Sequence, residues 1–213
     1  DRWKSTGAEA VVFGSLNEEI DYVGVAAHKG LIGRQLTIFA QVGSGIPFLP
    51  IFDAVVTSSD AIFVLFEKTP VVNVIFSVQG EGPFEIGIIS AGKSVFLPRN
   101  IYVGHTPINY GRKTTQLIKN SDSGNFLGKR KTNTNLGSSV NMDNIPPDFY
   151  REYIYPKFHV PAETRPFFWA WRPQKYPNES GFCWTTSDLS VSNSKGNGFM
   201  NLGFEMMGYA DNG

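Results

Sequence analysis

The chain is 213 residues long, and its 19 Lys and Arg balance 19 Asp and Glu to a formal net charge of zero at pH 7. That balance supplies no electrostatic reason for a polyanionic partner or an anionic membrane, and the length suits one large all-β domain or two smaller ones. A single cysteine, Cys183, excludes an internal disulfide and a Cys-based zinc or iron–sulfur cage within one chain, and it predicts assembly in a reducing compartment.

From the start of the chain, Ala8 to Ser15, Tyr22 to Ala27, Arg34 to Val42, Ala61 to Glu67, Val71 to Val78 and Phe84 to Ser90 are rich in Val, Ile and Phe, and most are bounded by Gly, Pro, Ser or Asp. This pattern predicts about six strands at a spacing near ten residues. The runs Ala61–Glu67 and Val71–Val78 are almost continuously apolar, as in strands covered on both faces, and are expected to lie centrally. Lys68-Thr69-Pro70 and Gln79-Gly80-Glu81-Gly82-Pro83 read as tight connections, so the economical topology is an antiparallel meander forming a β-sandwich over residues 1–98.

Residues 99–213 have another texture. They hold thirteen Lys and Arg against nine Asp and Glu, whereas residues 1–98 hold six against ten, an asymmetry that reads first as ordinary solvated surface, with head-to-tail contact between copies as the alternative. From about 109 to 144 the chain is polar and rich in Asn, Ser, Thr, Gly and Lys, with the cluster Lys129-Arg130-Lys131. Nucleic-acid surfaces interleave basic residues with stacking aromatics, and Phe126 is the only aromatic between Tyr110 and Phe149, so nucleic acid is not assigned as a partner. The segment instead reads as an arm or hairpin that gains order against a neighbouring subunit, with Phe126, Lys129, Arg130 and Lys131 as its interface residues.

Residues 143–156 carry the one helix signal: prolines at 146 and 147 suit a first turn, Asp148 suits the positive end, and Pro156 is expected to stop the helix after two turns at most. Three strands follow, within residues 164–173, 181–186 and 198–209. In the last, Phe199, Asn201, Gly203, Glu205 and Met207 alternate with Met200, Leu202, Phe204 and Met206, and apolar residues in both sets leave open which face meets the core.

The succession Trp171-Arg172-Pro173, Tyr176-Pro177, Gly181-Phe182-Cys183-Trp184, then a turn with Ser192-Asn193 and Gly196-Asn197-Gly198 and a final alternating strand, resembles the end of structural proteins of tailed-bacteriophage virions. The resemblance covers roughly residues 110–210; the first ninety residues match only as generic β sequence. It implies a component of the tail or tail tip that builds rings or sleeves, with no catalytic residues to carry over. Its partners would be other copies of itself and other virion tail proteins, with a host-surface receptor as a further candidate. The protein would be assembled in the host cytoplasm and reside in the virion tail.

The residues themselves point to no reaction. His28, His105 and His159 are scattered and belong to no metal or hydrolase motif. Gly43-Ser44-Gly45 and Gly80-Glu81-Gly82 lack the lysine and helix of a phosphate loop and read as hairpin turns. Glu18, Glu19 and Asp21 lack calcium-loop spacing and read as a solvated acidic turn, and Cys183 reads as a small buried hydrophobe. Trp169, Trp171 and Trp184 are expected in the sheet core or a subunit interface, which leaves Trp3 as the candidate for stacking on a glycan. No stretch reaches the ~18 apolar residues of a membrane span and the start has no signal-like segment, so a soluble protein without membrane insertion is expected.

Together these readings predict a mainly β chain. An N-terminal antiparallel sandwich (1–98) is followed by a C-terminal β region with one short helix (99–213). The expected role is structural, without catalysis, cofactor or metal. Alternatives are a receptor- or carbohydrate-binding β module and a viral capsid jelly roll.

Overall fold

The structure, a computed structural model, describes residues 3–5, 9–43, 45–98, 101, 104–193 and 198–210, with the backbone alone for 3–5, 9–15, 17 and 133. Over the described residues the chain is mainly β, with two antiparallel sheets and one helix of 16 residues. It forms two compact units, one of residues 1–96 with 172–181, the other of residues 97–171 with 182–213.

The first unit contains β1 (Trp3–Ser5), β2 (Glu9–Lys29), β3 (Gln35–Gln41), β4 (Leu49–Val55), β5 (Ile62–Gln79) and β6 (Phe84–Gly92), in the order β1-β6-β2-β5-β3-β4. Two pairs of expected strands are fused: β2 joins the first expected strand, described from Glu9 on, to Tyr22–Ala27, and β5 joins the two central runs from Ile62 on. Lys68-Thr69-Pro70 is therefore no turn. Thr69 and Pro70 pair with Ile20 and Glu19, between register shifts at Ser15/Glu18 and Ile20/Tyr22. A proline without an N–H is tolerated there because the bulges already interrupt the ladder.

The meander is also corrected, since β2 lies between β5 and β6, and β5 between β2 and β3. Residues 80–83 accordingly join strands that are not hydrogen-bonded to each other. β4 escaped the sequence reading because Pro50 breaks its pattern, and it sits where a proline fits, at the sheet edge.

The first half of β2 pairs with the second half of β5, which carries β3 and β4; the second half of β2 pairs with the first half of β5 and with β6. Bulged strands that bend at mid-length can pass from one layer to the next, and a sheet so folded encloses a core between its own halves. That core holds Val23, Val25, Phe84 and Ile86 from one half and Leu36, Ile38, Val74, Phe76 and Val78 from the other.

Of the connections that cross between the halves, Arg34 ties residues 30–34 to residues 80–83. Its guanidinium donates to the carbonyls of Gly82 (2.9 Å), Glu81 (2.7 Å) and Pro83 (3.2 Å) and lies 5.4 Å from the centre of the Phe84 ring. Gly30, at φ 71°, lets the other turn approach; a Cβ there would stand 2.6 Å from the Pro83 carbonyl oxygen.

The second unit contains β7 (Arg112–Asn120), β8 (Phe126–Ile145), the helix α1 (residues 147–162), β9 (Phe167–Ala170), β10 (Ser180–Thr185) from Phe182 onward, β11 (Ser190–Asn193) and β12 (Met200–Gly208). The sheet order is β7-β8-β12-β10-β9, with β11 also on β12. The face left open by the sequence is settled: Met200, Leu202, Phe204 and Met206 point inward, packing with Val140, Met142, Ile145, Ile154, Trp169 and Cys183. Asn201, Gly203 and Glu205 occupy the other face of β12.

The helix corrects the expected stop at Pro156. It starts with an α turn at Pro147–Phe149, is π-wound over Tyr150–His159 and ends with an α turn at Val160–Ala162. An α-wound proline at 156 would clash with the carbonyl four residues back; the wider winding, seen in the bond from Val160 N–H to the Tyr155 carbonyl, lets the helix continue.

Candidate assembly interface

β7 and β8 form an antiparallel hairpin closed by residues 121–125. Asn125 N–H donates to the Ser121 hydroxyl (3.0 Å) and Ser121 N–H to the Asn125 carbonyl (2.8 Å), while Gly124 takes φ 81°. β12 pairs with β8 only from Leu136 to Ile145, and β7 pairs with it from Phe126 to Leu136. Residues 116–131 are thus a two-stranded ribbon running past the end of the sheet.

The polar arm expected over 109–144 is shorter than the sequence suggested. Thr134, Leu136, Ser138, Val140 and Met142 are all buried, so residues 134–145 are a sheet strand. Small polar residues at inward positions concealed its period of two.

Register shifts at Thr115/Gln116 and Lys119/Asn120 set the ribbon's faces. Across an antiparallel ladder paired residues share a face. Gln116 pairs with Lys131, Ile118 with Lys129 and Asn120 with Phe126, so Ile118, Phe126, Lys129 and Lys131 lie on one side. Leu117 pairs with Arg130, and both lie on the other side with Lys119. Of the four predicted interface residues, the structure brings Phe126, Lys129 and Lys131 together and turns Arg130 away. All four are exposed.

Leu117, Ile118, Phe126 and Leu127 are 59–66% exposed, apolar area gathered at one end of one hairpin. A lone two-stranded ribbon is marginal in water, and exposed apolar side chains next to unpaired strand edges are the usual substrate of strand addition or docking.

A second surface was not found from sequence. The outward face of β8, β11 and β12 forms a groove of about 480 Å³ lined by residues including Asn141, Asp143, Asp188, Ser190, Gly203 and Glu205. Gly203 makes its floor, where a Cβ would come 2.8 Å from the Asn141 side-chain oxygen. Lys113, at the root of the ribbon, reaches Glu205 at 3.7 Å. Among the described residues Asp143 and Asp188 have no ion pair. The available signal was the polar set alternating with Val140 and Met142, which only strand pairing joins to Asp188 and Glu205.

The backbone of Trp3 pairs with Ile86, and its side chain lies outside the described residues. Trp169 is buried, Trp171 is half-buried, and Trp184 stands exposed on the surface. Cys183 is fully buried, and burial pushes its thiol well above the ordinary value. Glu19 pairs with Lys68 at 2.7 Å, which holds its carboxyl below the usual range, and Asp21 accepts a bond from Ser94 N–H.

His28 contacts the Asp60 carbonyl (3.0 Å), and His105 Nδ1 donates to the Ser139 carbonyl (2.9 Å). His159 joins a chain from the Tyr150 hydroxyl (2.6 Å) to the Glu163 carboxylate (3.2 Å). Among the described residues no group of three or more His, Cys, Asp or Glu is placed to hold a metal, and no helix is long and apolar enough to cross a membrane. No protein-family model, curated protein or solved structure matches the chain.

Proposed function

We propose that this chain is a structural component of a bacteriophage tail or tail tip, acting through repeated subunit–subunit contacts rather than through catalysis. The tail assignment rests on the resemblance over residues 110–210. The assembly mode rests on one observation, the β7–β8 ribbon, which carries exposed Leu117, Ile118, Phe126 and Leu127 beyond the end of its sheet. A partner that covers this ribbon removes apolar area from water and satisfies unpaired strand edges, and symmetric repetition multiplies modest single contacts into avidity.

The test is the solution mass by light scattering over a range of concentrations, with negative-stain imaging, for the whole chain and for a variant with residues 116–131 replaced by a two-residue Asn-Gly turn. The expected result is rings, tubes or a discrete oligomer for the parent and a monomer for the variant. A parent that stays monomeric throughout, or a variant that assembles equally well, would overturn the proposal; saturable binding of a glycan by a monomer would favour a receptor-binding module.

A further inference from the structure

The ribbon and the groove are complementary. Lys129 and Lys131 stand on one face of the ribbon beside Ile118 and Phe126, and among the described residues they have no ion pair. The groove offers Asp143 and Asp188, also without one, among Ser and Asn side chains able to donate and accept. Glu205 of the same groove already takes a lysine, Lys113 from the ribbon's root, which shows that the site accommodates an ammonium group.

One copy cannot make this contact with itself. Lys131 and Asp143 belong to the same continuous strand, β8. Twelve residues of extended chain separate them by roughly 40 Å at ~3.3 Å per residue, far beyond the reach of a lysine side chain.

Resting on the assembly reading above, we infer that the β7–β8 ribbon of one copy docks in the groove of a second copy, with Lys129 and Lys131 placed against Asp143 and Asp188. The two surfaces differ, so the contact is head-to-tail. Repeated, it closes into a ring or extends as a filament according to its rotation. Opposite charge sets the register, and Ile118 and Phe126 supply the apolar contact.

The experiment uses charge exchange in the full chain. K129E/K131E gives an acidic ribbon with an acidic groove; D143K/D188K gives a basic groove with a basic ribbon. Each alone is expected to weaken self-association at least about tenfold by light scattering or sedimentation, as like charges meet at every contact. An equimolar mixture is expected to recover association as an alternating oligomer, since each acidic ribbon then meets a basic groove and each basic ribbon an acidic one. Recovery also shows that both variants fold.

If the parent assembles and ribbon replacement abolishes it, but the mixture stays dissociated, the groove assignment fails while the assembly reading stands. A parent that never assembles brings down both. If K129E/K131E assembles normally but loses retention of a short DNA duplex that the parent binds, the ribbon is a nucleic-acid contact and the inference is overturned.

Discussion

The hydroxyl of Tyr150 lies 2.6 Å from Nδ1 of His159, although nine residues separate them on one helix. In an α-helix nine residues make about two and a half turns and put two side chains on opposite faces. The π winding over Tyr150–His159 takes fewer turns and returns them to one face, with His159 continuing to Glu163 at 3.2 Å. Tyr150→Phe removes the phenol and leaves a mostly buried imidazole nitrogen without its partner. A loss of about 1–2 kcal/mol in urea denaturation is expected. An unchanged midpoint would show that the bond contributes nothing net.

The buried thiol makes stability depend on alkaline pH. Burial raises the Cys183 pKa above its ordinary 9.0, so the folded state holds the proton more tightly than the unfolded chain. Its contribution is fully present below about pH 9 and is lost as pH rises further. The Tyr150 phenol, raised from 10.0 first by burial and then by Tyr155 and Glu163, acts with the same sign from a higher onset. The urea midpoint should fall above pH 9, with Cys183→Ala flattening the start of that fall and Tyr150→Phe the part above pH 10. A profile that is flat in the parent, or as steep in both variants, contradicts this account.

Arg34 should matter more than a surface arginine ordinarily does. It bonds three carbonyls of the 80–83 turn, so Arg34→Ala leaves them to water and unties that turn from residues 30–34. About 1.5–3 kcal/mol of destabilisation is expected from thermal or denaturant unfolding. Arg34→Lys should recover little of it, because one ammonium cannot reproduce the guanidinium's planar fork.

Two phenylalanines separate fold from assembly. Phe76 is fully buried in the first unit, and Phe76→Ala should cost about 3–5 kcal/mol. Phe126 is 65% exposed, and Phe126→Ala should shift stability by no more than about 0.5 kcal/mol while reducing self-association. Loss of stability from Phe126→Ala without a change in assembly would show that the side chain serves its own hairpin.

At the ribbon's root Gly111 packs directly on the Gly137 carbonyl oxygen, and Gly137 N–H donates to the Gly111 carbonyl at 2.5 Å. A methyl group at Gly111 would overlap that oxygen. Gly111→Ala should therefore cost about 1–3 kcal/mol and increase amide exchange along Arg112–Thr115. Exchange as slow as in the parent would mean that the backbone absorbs the methyl without loss.

Much of the fold is legible because strand patterning is local. Val71–Val78 and Phe84–Ser90 declare themselves by β-branched and aromatic runs, and the strict alternation at Phe199–Met207 marks β12 without reference to any partner. The misses share a cause. Lys68-Thr69-Pro70 has turn chemistry, yet pairing with Glu19 and Ile20 keeps it extended; Pro156 has stop chemistry, yet a wider winding carries the helix past it. Thr134 and Ser138 look solvated but are buried in the sheet. In the strands, pairing and burial outweigh a local preference worth only about a kcal/mol, whereas at Pro156 the helix itself changes its winding.

By itself the sequence determined the β character, the polar stretch with its basic cluster at Lys129–Lys131 and the lack of any cysteine framework, because each depends on residue type and near-neighbour spacing. Tertiary structure alone decided that β2 and β5 are single bent strands, that Phe126 turns to the side of Ile118 and Lys129, and that Asp143 and Asp188 share a groove. Those outcomes depend on register between segments far apart in the chain, and one bulged residue is enough to move a side chain from one face of a sheet to the other.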